Sequence, residues 1–95
     1  MIIRMVKFET ALPQEELLAI ARKRADRFRR LPGLLQKYYI KLEKPNHYGG
    51  VYVWDSKEAM DAYTKSDLAA SIPTAYKVVG KPSVEVIDTL FQLRD

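Results

Sequence analysis

Cysteine is absent from the sequence, and histidine occurs once, at His47. Without thiols there are no disulfides, no thiolate nucleophile and no cysteine metal site. One histidine without clustered carboxylates leaves no ligand set for zinc or non-haem iron, so no metal is expected. Neither a Ser/His/Asp constellation nor a phosphate loop occurs. No apolar run approaches the roughly 18–20 residues of a membrane span. The N-terminal MIIRMVKFE carries Arg4 and Lys7 inside its apolar stretch and has no signal-peptide cleavage pattern. These absences predict a soluble, cytoplasmic protein without a membrane partner.

What the chain does contain is apolar and aromatic. Its 95 residues suit one domain, 1–95, and 47% of them are hydrophobic, too rich for disorder. A chain this short buries only about 60–65% of its unfolded surface, so burial against a partner would help it. The net charge is +4, with six Lys or Arg among the nine residues from Arg22 to Arg30. Glu15 and Glu16 open the same segment, and acids before bases along one helix complement its dipole. A solvated helix face therefore accounts for the basic run.

The order of elements follows from periodicity. Ile2–Phe8 reads as a strand. Pro13 sits where a first helical residue would, and Leu17, Ile20, Ala21, Phe28 and Leu31 recur at helical spacing until Pro32-Gly33 ends the run. Leu34–Leu42 and Gly49–Trp54 read as strands around the polar turn EKPNHY. Asp55 with Glu58 forms a capping pair for a second helix to about Ser66, and a short helical piece from Asp67 should end before Pro73. Ser83–Leu93 reads as the last strand. The result is α+β: a ferredoxin-like βαββαβ chain with a four-stranded antiparallel sheet, strands 1 and 3 central, and both helices on one face.

The second face is expected to be apolar too. Strand 3 sets Tyr52 and Trp54 against Val51 and Val53, and strand 4 sets Val84, Val86 and Leu90 against Ile87, Phe91 and Leu93. Two helices cover one face only, so a homodimer with its sheets packed face to face is predicted. Arg4 shares a face with Ile2, Val6 and Phe8, and Asp88 with Val86 and Leu90. A pair between them, or contact of either with a ligand carbonyl, would offset the cost of burying a lone charge. Gly49-Gly50 suggests a tight strand entry or a close backbone approach.

YGGVYVWDSKEAMDAYTKSDLA resembles the third strand and second helix of dimeric α+β barrel proteins, in particular the antibiotic-biosynthesis monooxygenase superfamily and its YdhR-like members. PGLLQKYYIK and EVIDTLFQLR resemble the second and last strands, so the likeness spans the chain. It implies a small-molecule pocket between sheet and helices. There, an electron-rich aromatic such as a quinol or anthrone is deprotonated and oxygenated without metal or flavin cofactor. Trp54 matches the tryptophan of such oxygenases; Gly50 stands where they carry an asparagine, and Tyr63 where many members place a helix-2 histidine. The resemblance implies catalytic roles for Trp54 and Tyr63; His47, the sole imidazole, is a candidate base if its turn folds over the pocket, and Arg4, Tyr39, Tyr52 and Asp88 are candidate ligand contacts. The competing reading is a non-catalytic small-molecule-binding or interaction protein of the same fold. Nucleic acid is not expected: in the strand-3 signature of RNA-recognition domains, Tyr48 replaces the basic residue and Gly50 an aromatic.

Overall fold

A computed structural model describes residues 1–94. The strands are β1 (Ile2–Thr10), β2 (Leu34–Lys41), β3 (His47–Trp54) and β4 (Val78–Asp88). The helices are α1 (Gln14–Arg29), α2 (Lys57–Thr64), α3 (Asp67–Ala70) and α4 (Ile72–Ala75). The sheet runs β2-β3-β1-β4, and every neighbouring pair is antiparallel. This is the expected ferredoxin-like α+β arrangement with β1 and β3 central. No helix among the described residues is long and apolar enough to cross a membrane.

The helices lie on one face because their apolar stripes match that face. Leu17, Ala21 and Phe28 are the buried residues of α1, and Met60 and Tyr63 those of α2. They meet Tyr48, Tyr52 and Trp54, the even-numbered side of β3, in two clusters. Phe28, Tyr52, Trp54, Met60, Tyr63 and Leu68 form one; Leu17, Ala21, Tyr48 and Tyr76 form the other. Thr10 anchors the second end, its buried hydroxyl donating to the Tyr76 carbonyl at 2.7 Å and accepting from the Leu12 amide at 3.1 Å.

Several boundaries differ from expectation for local reasons. Ser56, one residue after Asp55, is the N-cap of α2, and its hydroxyl accepts from the Ala59 amide at 3.2 Å. The helical piece from Asp67 ends at Ala70, before Pro73 as expected, and Pro73 then falls in the first turn of a further helix, α4, where the missing N–H costs nothing. β4 starts at Val78 rather than Ser83, because a register shift opposite Lys7–Glu9 absorbs Gly80 at φ 70° and Pro82 lies on an edge strand. It ends at Asp88 rather than Leu93. Asp88 pairs with Ile2, and the Thr89 amide and hydroxyl both bond the Met1 carbonyl, where the pairing with β1 ends. Leu90, Phe91 and Leu93 are therefore outside the sheet, 99%, 80% and 83% exposed.

The helix-free face carries Ile3, Met5, Tyr38, Val51, Val53 and Ile87, none of them buried in the single chain. β3 is thus fully covered on its helix side only, not on both faces. Val84 and Val86 are also exposed, since the helix contact with β4 is made by α4 at the Val78 end.

The glycine pair of β3 has two different causes. A Cβ on Gly49 would sit 2.1 Å from the Val6 carbonyl oxygen, a backbone atom that cannot withdraw. On Gly50 it would meet Tyr52 Cε1 at 3.2 Å and Lys37 Cε at 3.5 Å, both side-chain atoms. Gly49→Ala is expected to cost more than about 2 kcal/mol and Gly50→Ala less than about 1 kcal/mol in urea unfolding. Equal losses would contradict the close β1–β3 approach at Gly49.

Candidate functional site

Cross-strand register builds the site around Tyr52. Arg4 lies opposite it on β1 and Lys37 opposite it on β2. Directly paired residues point to the same side of a sheet, so both cations are directed under the helices. Arg4 reaches the rings of Tyr52 and Tyr63, its guanidinium carbon 5.8 and 5.9 Å from their centres. Lys37 Nζ lies 3.5 Å from the centre of the Phe28 ring, 4.4 Å from Tyr39 and 4.6 Å from Tyr52.

The aromatic group itself is continuous. Tyr52 and Trp54 stack with an interplanar angle of 3°, and Tyr63 leans on both at 5.5 and 5.3 Å. The Tyr63 hydroxyl donates to that of Tyr52 at 3.3 Å. Trp54 is wholly buried, and its indole N–H is without a partner, as are Tyr76 Oη and Arg24 Nε. The other end of Arg24 donates to Ser71 Oγ at 2.7 Å. One member of the basic run on α1 is thus turned inward rather than solvated.

Two cavities meet at Lys37. The larger, about 300 Å³, is a cleft between α1 and β2 lined by Phe28, Arg29, Leu34, Lys37 and Tyr39 among others. That volume is at the lower end of small-molecule sites. The smaller, about 30 Å³, lies deeper against Val6, Gly50, Tyr52 and Tyr76, and Lys37 and Tyr39 line it too. It has room for a water or one ligand hydroxyl. Trp54 and Tyr63 line neither; they stand behind Tyr52.

The predicted residues divide accordingly. Arg4, Tyr52, Trp54 and Tyr63 are brought together, and Tyr39 joins them through Lys37. His47 does not join. It is the first residue of β3 rather than a turn residue, about 23 Å of strand from Trp54. Its Nδ1 lies 2.8 Å from the Pro45 carbonyl and its Nε2 3.9 Å from Glu9, so the turn holds it away from the cleft. Asp88 is exposed at the end of β4 opposite Ile2, and the described residues contain no Arg4–Asp88 ion pair. Lys37 is the residue that sequence reading missed. Its signal was the parity of LLQKYYIK, obscured by a register shift between Leu34 and Gln36 that reverses the alternation.

Burial dominates the electrostatics. Loss of hydration, then repulsion from Arg24, lowers the Lys37 pKa from 10.5 to about 7. The ring faces return part of that loss, about 0.5–2 kcal/mol for a desolvated cation–π contact. Burial pushes the Tyr39, Tyr52 and Tyr63 phenols up, and Tyr76 up to about 12. No cluster of His, Cys, Asp or Glu able to hold a metal occurs among the described residues.

An antiparallel sheet with helices on one face and an aromatic, cationic cleft between them defines a ferredoxin-like α+β fold. The family model described as "Putative mono-oxygenase ydhR" matches residues 3–94, and the chain belongs to that family. No curated protein matches the sequence. Among solved structures, SnoaB from Streptomyces nogalater, a cofactor-independent oxygenase, is similar with a TM-score of 0.77 at 17% identity, over 99% of this chain and 97% of that one. A protein of unknown function from Nitrosomonas europaea has a TM-score of 0.77 at 18% identity, over 99% and 93%. A "putative antibiotic biosynthesis monooxygenase" from Deinococcus radiodurans has 0.75 at 17%, over 100% and 98%. At such identities the likeness is one of fold.

The pKa shifts make stability depend on pH with a definite sign. Between about 7 and 10.5 the unfolded chain holds a proton on Lys37 that the folded one lacks. Stability therefore rises with pH through that window, by up to about 1.4 kcal/mol per unit. The tyrosines act oppositely: above the ordinary phenol value of 10.0 the folded state keeps protons that the unfolded state loses, and stability declines. Melting curves across this range should show the rise in the wild type. Lys37→Met should lack it and melt higher at neutral pH. A rise of the same slope in Lys37→Met would assign it to another group.

Proposed function

We propose that the protein is a cytoplasmic, cofactor-independent monooxygenase of small aromatic compounds of the quinol or anthrone kind. The observation that carries this reading is the cleft of about 300 Å³ between α1 and β2, whose aromatic wall holds cations and no carboxylate. Flat rings suit such a wall, and the positive side chains suit the anion that a phenol or enol becomes on losing its proton. The anion passes an electron to O2; one oxygen atom ends on the ring, and the other leaves as water with two hydrogens. Membership of the mono-oxygenase family supports the reaction class.

In this reading Tyr52 presents its ring to the ligand and Tyr39 closes the mouth, while Arg4 lies across the Tyr52 ring and acts on the ligand through it. Trp54 and Tyr63 act from behind Tyr52, through its stacked ring and its hydroxyl. The open sheet face is covered by a second copy, with Met5, Val51, Val53 and Ile87 at its centre. The competing reading is a binder without turnover. It draws support from the packing of Trp54 and Tyr63, which line neither cavity.

An oxygen electrode with a panel of quinols and anthrones separates the two. Uptake is expected in the wild type. It should fall by up to roughly 100-fold in Trp54→Phe, the scale of a misplaced reacting group when a residue behind the site is changed, and less steeply in Tyr63→Phe. His47→Ala should keep full activity. No uptake from a folded protein whose melting temperature still rises with these ligands would establish the binder.

Analytical ultracentrifugation tests the second copy separately. The protein should sediment as a dimer at micromolar concentration, and Val53→Glu should sediment as a folded monomer. A monomeric wild type would leave the open face without this explanation.

A further inference from the structure

Lys37 is the one amine that the fold carries into the pocket, and three features determine what it can do. It stands at the junction of the two cavities, so a ligand in the outer cleft that sends a hydroxyl into the inner one must pass Nζ. It is held by ring faces alone: Phe28 from α1, Tyr39 from its own strand and Tyr52 from β3. Its stem fills space that Gly50 leaves free, with Cε 3.5 Å from where a side chain at that position would begin.

The groups facing it are Arg24 and Arg29 from α1 and Tyr39 and Tyr52 from the sheet, with Arg4 and Tyr63 across the Tyr52 ring. Among the described residues no carboxylate pairs with its nitrogen. A structural lysine normally finds an anion or reaches water with its whole head group. This one does neither fully.

We propose that Lys37 is the proton acceptor of the pocket: Nζ takes the hydroxyl proton of a bound phenol or quinol and then holds the aryloxide as its ammonium partner. The O–H bond of the ligand breaks, an N–H bond forms on the amine, and the electron pair stays on oxygen. This inference rests on the aromatic-ligand reading above. Burial supports it, since an amine that loses its proton near neutrality is a competent base in the free protein. An aryloxide returns to the ammonium the counter-ion that the fold withholds. Arg24 adds to the attraction without competing for the proton, because guanidinium does not give one up; Arg29 is already paired with Asp26. The tyrosines cannot substitute, since burial makes each a weaker proton donor and none is a base in its phenol form.

The test uses the full chain, 4-nitrophenol as a coloured probe, and Lys37→Met, which keeps the stem and removes the amine. Carbon-13 NMR of lysine Cε follows the amine directly. In the free protein Lys37 should titrate near neutrality. At mildly alkaline pH, where it is neutral and unsubstituted phenol still carries its proton, saturation with phenol as the probe should move its signal to the ammonium position.

In parallel, bound 4-nitrophenol should ionise at a pH at least one unit lower in wild type than in Lys37→Met, a tenfold or greater shift in its acid constant. Thermal melts confirm that the variant is folded. Titration of Lys37 in the ordinary lysine range, an amine that stays neutral when phenol binds, or equal 4-nitrophenol ionisation in the two proteins would each overturn the proposal. Failure of folded wild type to bind 4-nitrophenol or any quinol of the panel would overturn the aromatic-ligand reading, and this inference with it. Binding that is unaffected by the loss of the amine would overturn the inference alone.

Discussion

The alternation of side chains along β3 is the constraint from which the rest follows. Tyr48, Gly50, Tyr52 and Trp54 face the helices; Gly49, Val51 and Val53 face away. A shift of one residue would exchange the two sets. With the aromatic set under α1 and α2, the core must form there, and the valine side must stay open. The pairing of β3 with both neighbours then decides which side chains can meet Tyr52. Arg4 and Lys37 come to the aromatic group through strand register, without any loop to position them. A site held by a sheet is stiffer than one held by loops.

Cations in such a place are destabilising. Moving a charge out of water costs several kcal/mol even after relaxation, and ring faces restore only part of that. The structure manages the two charges differently. Arg4 lies against Tyr52 and Tyr63. Lys37 can shed its charge, and burial together with Arg24 favours that outcome. An apolar side chain at position 37 would pack against the same three rings at no electrostatic cost. Proteins tend to retain unfavourable groups of this kind where chemistry or binding depends on them.

Much of the fold was legible in the sequence because burial leaves a period. Period two in GGVYVW and helical spacing from Leu17 to Phe28 identified the elements and the faces that meet. The errors fall where a local rule competes with a distant contact. KVVGKP looks like a loop, yet a register shift accommodates its glycine within β4. FQL looks like a strand, yet the β1–β4 pairing ends at Asp88 and leaves Phe91 and Leu93 exposed. Of the site, Trp54, Tyr52, Tyr63 and Arg4 each stand out in the sequence, but Arg4 is matched there with Asp88 rather than with Tyr52. Lys37 does not stand out, since an irregularity between Leu34 and Gln36 reverses the parity that would have placed it. His47 attracted attention as the sole imidazole, and its strand holds it at the opposite end of the sheet.

The sequence by itself determined the order of elements, the central place of β3 and the excess of apolar surface on the sheet. Each is a matter of spacing and composition along one stretch of chain. Only the tertiary structure decided which charged side chains reach the aromatic group, because that depends on register between strands that are distant in sequence. It also decided that the cavities open at Lys37 and Tyr39 rather than at Trp54, since a pocket is the space left after three elements have packed.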